Sequence, residues 1–359
     1  MVKKIDMKSY FNFYKNKKVL VTGSTGFKGA WLCLWLKMLG AKIYGIGYKP
    51  NNNKKLFNQL NLDKRILFKN IDIRDYYKIN NYIKKIKPEI IFHLAAQPII
   101  SKSYDEPKYT YEVNALGTLN IINTIKEAKF VKSAIFVTSD KCYESNNSTV
   151  GFKESDKLGG IDPYSGSKAT AEIIVRTYYE SFFKNKKKTG LATARAGNVI
   201  GGGDWSKDRL IPDAIRYLQK KKVIIIRNPN FNRPWQHVLE PLNGYLALAI
   251  KLYKNPKKFS GAWNFGTEKN TITSVGEIIE KIIKFWGHGK YKIQNKKKFY
   301  EQTNLQLNIL KSKNNLDWEP KLSINECVKT TVYWYKEVLI NKKNVNNITE
   351  KQIKNYMNK

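Results

Sequence analysis

Short apolar runs ending in small residues recur through the first half of the chain: Val19 to Gly23, Ile43 to Gly47, Ile66 to Ile73, Ile90 to Ala95 and Ala134 to Ser139. Runs of this kind, apolar throughout rather than alternating, predict parallel strands covered on both faces. Between them the apolar residues recur at helical spacing over Gly29 to Leu39, Tyr76 to Ile86, Val113 to Ala128 and Ser165 to Phe183. Strand and helix alternate, so the predicted class is α/β, a Rossmann-like doubly wound parallel sheet.

A sixth strand is expected over Leu191 to Ala196, after which Gly197-Asn198-Val199-Ile200-Gly201-Gly202-Gly203-Asp204 breaks the alternation. A first domain over 14–196 is therefore expected, followed by a smaller mixed α/β C-terminal domain over 197–234 and 266–345 that handles substrate. The pieces His237 to Leu239 and Ala262 to Phe265 read as strands returning to the first domain near 235–265, so the arrangement is discontinuous. From Asn341 the sequence is rich in Asn and Lys, and 346–359 is expected to be a peripheral helix or frayed end.

Composition narrows the picture. A length of 359 residues with 42% hydrophobic positions suits two packed domains. No apolar run approaches the roughly 18 residues that span a bilayer, and Met1 to Lys17 has no secretory-signal pattern, so a cytoplasmic protein without membrane contact is expected. Cys33, Cys142 and Cys327 are odd in number and far apart, which predicts reduced thiols. The three histidines lack metal-site spacing, so no metal is expected. A formal charge of +36 raises nucleic acid as a partner, but the lysines are scattered rather than clustered and no recognition motif accompanies them. Nucleic acid is set aside; an anionic small substrate still gains from the field.

The first strand runs into Gly23-Ser24-Thr25-Gly26-Phe27-Lys28-Gly29 and the first regular helix. Backbone N–H groups and the helix dipole can receive a dinucleotide pyrophosphate there, and glycine permits close approach. The second strand ends in Gly47-Tyr48-Lys49-Pro50, where an acid would hold a ribose 2′-hydroxyl. None is present, and this position by itself leans to NADP. Asp72-Ile73 ends the third strand; Asp72 could accept from an adenine amine or cap the following helix. Thr138-Ser139-Asp140-Lys141 follows the fifth strand, and Tyr164 and Lys168 stand four apart at a helix start. Four residues stack two side chains on one helix face. A phenol with an ordinary pKa of about 10 becomes a base beside an ammonium, so the pair predicts proton transfer coupled to hydride transfer.

With these motifs and the stretches Val21 to Trp35, His93 to Pro98, Thr138 to Glu144 and Leu158 to Ser165, the chain resembles the extended short-chain dehydrogenases/reductases, the NAD-dependent epimerase/dehydratase family. Within it the resemblance is to the CDP-glucose 4,6-dehydratase branch, because an acid pair in the dTDP-glucose and GDP-mannose relatives is Asp140-Lys141 here. The resemblance implies NAD as cofactor, despite Lys49, held by Gly23, Thr25, Gly26, Phe27, Lys28, Gly29, Asp72, Ile73, Leu94, Ala95 and Ala96 together with Tyr164 and Lys168. It implies a nucleotide-sugar substrate, CDP-glucose, met by Gln97, Asn198, Arg209 and Arg233. Tyr164 would deprotonate the sugar 4-hydroxyl with Ser139 on that oxygen, Lys141 would take the C5 proton and Asp140 protonate the leaving 6-hydroxyl. An amine in the place of a carboxylate base is chemically acceptable when buried near a cation. Asp204 and Arg233 to His237 could shape the nucleotide pocket, although His237 and His93 read equally as structural. The resemblance further implies a homodimer or homotetramer through the helices at Val113 to Ala128 and Ser165 to Phe183.

Overall fold

The computed structural model describes residues 7–144, 151–185, 188–268, 273–294 and 305–359. Seven strands form the central sheet: β1 (Lys18–Thr22), β2 (Lys42–Gly47), β3 (Leu67–Asn70), β4 (Ile90–His93), β5 (Ser133–Val137), β6 (Gly190–Ala196) and β7 (Gly261–Phe265). They lie in the order β7-β6-β5-β4-β1-β2-β3, every pairing parallel. The chain works outward from β1 to β3, then crosses back to place β4 on the other side of β1. At such a switch point the connections leave in opposite directions and open a crevice at the carboxyl ends of the strands.

Alternate residues of β1 supply the two faces of the core. Val19 and Val21 join Trp31 and Leu34 of α2 (Phe27–Met38) and Leu242 and Leu246 of α7 (Leu239–Lys254). Leu20 joins Ile79 and Ile83 of α3 (Tyr76–Ile86) and Ile121 and Ile122 of α4 (Gly117–Glu127). A short helix, α1 (Met7–Tyr14), precedes β1, and α5 (Pro163–Tyr178) starts on the Asp162 carboxylate, which accepts the Ser165 N–H, with Pro163 in the first turn. The expected helices at Val113 and Ser165 are each joined to one π turn, Glu112–Leu116 before α4 and Tyr179–Phe183 after α5.

Two expected strands differ. The third strand is four residues long because it is the exposed edge of the sheet; Ile71 and Ile73 beyond it are buried without ladder partners. Gln236–His237 pairs with Val199–Ile200 outside the central sheet, and Leu239 already begins α7. Of the two forms expected for the tail, the helix is the one found. It forms α10 (Val345–Met357), burying Ile348, Ile353 and Tyr356, spaced to share one face, against α9 (Ile324–Leu339) and α2. The remaining lobe carries α6 (Leu210–Gln219), α8 (Val275–Trp286) and two short strand pairs, Ile224–Ile226 with Tyr291–Ile293 and Asn232–Arg233 with Thr273–Ser274.

Candidate active site

A cleft of about 930 Å3 opens over the carboxyl ends of β1, β4 and β5 and is closed on its far side by residues 196–214 and 224–235. At its floor the turn after β1 is built for close approach. Gly23 has φ +69°, and a Cβ there would stand 2.6 Å from the Ala95 nitrogen. A Cβ on Gly29 would stand 2.1 Å from the Gly23 carbonyl, so these two glycines pack strand, turn and helix together. Gly26 differs: it is exposed, and its Cβ would meet only the Gly23 carbonyl, at 3.3 Å. It stands at the N-terminus of α2, which has no side-chain cap, so the space a Cβ would fill lies in front of unclaimed N–H groups. That cradle fits a pyrophosphate.

Thr25, Phe27, Lys28, Asp72, Ile73, Leu94, Ala95 and Ala96 line the same cleft. Asp72 does not cap α3; Asp75 does, accepting the Lys78 N–H. Asp72 instead accepts the Arg74 backbone N–H at 2.9 Å and the Arg74 guanidinium at 2.7 Å, and the Tyr48 hydroxyl. Burial raises its carboxyl, but these donors outweigh it and hold Asp72 below the usual carboxylate range. Lys49, the residue that tips the sequence towards NADP, is bonded to Asp63 at 3.1 Å and does not line the cleft.

Ser139, Asp140, Lys141, Tyr164 and Lys168 meet at the centre of the cleft. The Ser139 hydroxyl donates to Asp140 at 2.9 Å and accepts the Lys141 N–H at 3.2 Å, opening one 3-10 turn, Asp140–Cys142. Tyr164 shares a hydrogen bond with Ser139; burial pushes its phenol up to about 12, against the pull of that bond. Burial lowers Lys168 to about 8, and its ammonium donates to the Val137 carbonyl at 3.3 Å. Burial also raises the Asp140 carboxyl, with the Lys141 and Arg233 charges opposing. The cluster therefore combines a phenol that ionises only when further positive charge arrives, a cation one helical turn away and a carboxyl inclined to keep its proton.

Asn198, Arg209 and Arg233 face this cluster from the second lobe. Arg209 is tied to Asp204 at 3.2 Å, and Arg233 donates to the Asn232 carbonyl at 2.9 Å. Gln97 does not reach the cleft: its amide donates to Ile99 O and Thr110 Oγ1 and accepts the Ile99 N–H, bracing the loop after β4. His93 lies between Thr22 and Thr118 hydroxyls, at 2.7 and 3.2 Å, and burial drops it to about 3; it is a neutral structural residue. His237 is fully buried at the same value, for the same reason, and outside the cleft.

Sequence reasoning overlooked Tyr48 and Arg227, which line the cleft, and the ion pair of Glu172 and Arg195 that underlies it. Glu172 carries a legible signal, one turn beyond Lys168 on the same helix; Arg195 and Arg227 carry none. Among the described residues no group of three His, Cys, Asp or Glu side chains could hold a metal, and no helix is long and apolar enough to cross a membrane.

The family model of GDP-mannose 4,6 dehydratase matches residues 20–331. A CDP-glucose 4,6-dehydratase of Salmonella typhimurium is 42% identical over 330 residues, covering 90% of this chain and 92% of that protein. Among solved structures, an epimerase of Methanothermobacter thermautotrophicus superposes with a TM-score of 0.80 at 23% identity, covering 96% of this chain and 99% of its own. A dTDP-glucose 4,6-dehydratase of Bacillus anthracis, in complex with NAD, superposes with a TM-score of 0.75 at 24% identity, covering 89% and 97%.

Proposed function

Because the chain belongs to the GDP-mannose 4,6-dehydratase family, we propose that it is a hydro-lyase that removes water from CDP-glucose to give CDP-4-keto-6-deoxyglucose. The observation that carries this reading is the meeting of Ser139, Asp140 and Lys141 with Tyr164 and Lys168 over an uncapped glycine turn. NAD is the cofactor that the turn would hold, and when bound it supplies acceptance and return of a hydride. Gly26 and the first turn of α2 would receive its pyrophosphate, and Asp72, Ile73 and Leu94 to Ala96, which line the same cleft, would hold the rest of it.

The protein's own groups then divide the proton transfers. Tyr164 takes the proton of the sugar 4-hydroxyl, with Ser139 hydrogen-bonding that oxygen and Lys168 stabilising the phenolate. Once carbon 4 is at the ketone level the C5 proton is acidic, and Lys141 removes it. Asp140, kept protonated by burial, gives its proton to the 6-hydroxyl as it leaves. A 4-epimerase for another nucleotide sugar would use Tyr164 and Lys168 and have no work for an acid and a base beside Ser139. A nicotinamide-binding sensor would need none of these groups.

The product feeds deoxysugar synthesis for surface polysaccharide, lipopolysaccharide included, in the cytoplasm. The protein works as a homodimer or a homotetramer built from it, a reading supported by Leu116, Ile173 and Phe182, apolar side chains exposed on α5 and on the π turns that adjoin α4 and α5. The domain division is proposed at 14–196 and 197–345, with 235–265 rejoining the first.

The test is incubation with NAD and CDP-, dTDP-, UDP- or GDP-linked hexoses, followed by mass spectrometry. Loss of one water from CDP-glucose alone, abolished in Tyr164→Phe, supports the reading; dehydration of another nucleotide sugar overturns the substrate, and no change overturns the activity.

A further inference from the structure

We propose that Lys28, although it belongs to the cofactor turn, binds the diphosphate of the nucleotide-sugar substrate and completes a three-cation clamp with Arg209 and Arg233. This rests on the nucleotide-sugar reading above.

The glycine turn receives a pyrophosphate through backbone N–H groups, which need no side chain. The second residue of α2 is nevertheless a lysine, and it lines the cleft half-buried. After burial, the charges of Arg209 from the second lobe and Lys168 from α5 lower its pKa, and the Asp140 carboxyl after β5 opposes them. Groups from three other parts of the chain thus converge on one ammonium, at the junction where cofactor and substrate halves meet.

Among the described residues this ammonium has no hydrogen-bond acceptor and no ion pair. Its neighbours differ: Arg209 has Asp204 and Lys168 has the Val137 carbonyl. Desolvating a cation without an acceptor is costly, and two more cations nearby add to the cost, which the Asp140 carboxyl offsets only in part. An anion placed between Lys28 and Arg209 reverses both terms. Burial, and Arg209 after it, brings the lysine down to about 8, so a diphosphate bound there draws a proton onto it.

The experiment titrates wild type, Lys28→Met and Lys28→Arg with CDP, cytidine and NAD separately, by calorimetry. Lys28→Met should weaken CDP about ten-fold or more, the loss of one charge-assisted contact. It should weaken NAD clearly less than CDP, and a melting temperature close to that of wild type shows that the turn has folded. Lys28→Arg should recover most of the CDP affinity, and the cytidine titration should not distinguish the variants. Near pH 8, the proton uptake on CDP binding, read from the buffer dependence of the heat, should fall in Lys28→Met. NAD weakening as much as CDP, or neither weakening, overturns the clamp. A wild type that binds NAD but neither CDP nor CDP-glucose instead overturns the substrate reading on which the clamp depends.

Discussion

Removing the guanidinium beneath the site should destabilise the protein strongly at neutral pH and much less in acid. Arg195 on β6 and Glu172 on α5 pair at 2.7 Å with both side chains 3% exposed. Glu172 also accepts from the hydroxyls of Thr138 and Thr193, and Arg195 donates to the Tyr143 hydroxyl, which donates to Asn264. Burial alone would raise the Glu172 carboxyl, but Arg195 and the two threonines bring it below its ordinary value. Cutting a buried pair from one side leaves the other charge uncompensated, at a cost of about 3–5 kcal/mol, and Arg195→Met should lose that much near neutrality.

In the wild type the depressed carboxyl contributes stability that is present above its unfolded pKa of about 4.3 and lost as pH falls through the lower folded value. In Arg195→Met burial acts with less opposition, the folded value lies above the unfolded one, and the penalty on the carboxylate is relieved as pH falls. The gap between the two proteins therefore narrows between about pH 7.5 and pH 5. Urea unfolding followed by tryptophan fluorescence measures it, and Arg195→Met combined with Glu172→Met should recover most of the loss, since Arg195 Nε already lacks a partner. A loss under about 1 kcal/mol, or one that is the same at both pH values, would show that solvent or rearrangement compensates the carboxylate and refute the reasoning.

Asp140→Asn keeps a polar group beside Ser139 but cannot give up a proton; water loss should slow by about 100-fold or more while deuterium from solvent still enters C5, and Lys141→Ala should lose both. Near-normal dehydration by Asp140→Asn removes its role as acid. Gly26→Ala should melt within a few degrees of wild type but bind NAD about ten-fold more weakly by calorimetry, because its Cβ meets only the Gly23 carbonyl, at 3.3 Å, and otherwise points into the pyrophosphate cradle; unchanged NAD affinity refutes that placement. Glu240, fully buried under the Lys321 and Leu322 N–H groups and the Tyr356 hydroxyl, is raised by burial to about 7. A raised value means stability present below the unfolded pKa and lost as pH rises through about 7. Thermal unfolding of Glu240→Gln should therefore gain on wild type between about pH 6 and pH 8, and parallel curves would refute it.

The first half of the fold was legible because its elements are local. Five apolar runs, a glycine turn between strand and helix, and Tyr164 and Lys168 one turn apart are all contained in short stretches of chain. The NAD or NADP choice misled at Lys49 because the deciding contact, to Asp63, is made by the segment that follows and not by the strand end. The resemblance implied a substrate contact for Gln97, whereas in the structure Thr110 and Ile99 claim its amide. For the tail, composition left a peripheral helix and a frayed end both open; the helix forms because three well-spaced apolar residues, Ile348, Ile353 and Tyr356, are enough to dock it.

What no local pattern could carry is how the far end of the chain supports the cleft. A Cβ on Gly202 would lie 2.0 Å from the Trp334 ring, so the loop at 201–204 rests directly on α9. Tyr335, next along, donates to the Asp204 carbonyl at 2.6 Å, and Asp204 in turn holds Arg209. Behind α9, α10 is fixed by Trp334 on Thr349, by Trp35 of α2 on Met357 and by Arg65 on Glu350. The same helix α2 opens the cofactor cradle at its other end. The C-terminal helices thus brace the Arg209 side of the cleft against the element that carries the glycine turn, and the two sides of the cleft share one support. Hydride transfer tolerates little error in the distance between the two bound molecules. A shared support fixes that distance more firmly than two independently folded domains joined by linkers could.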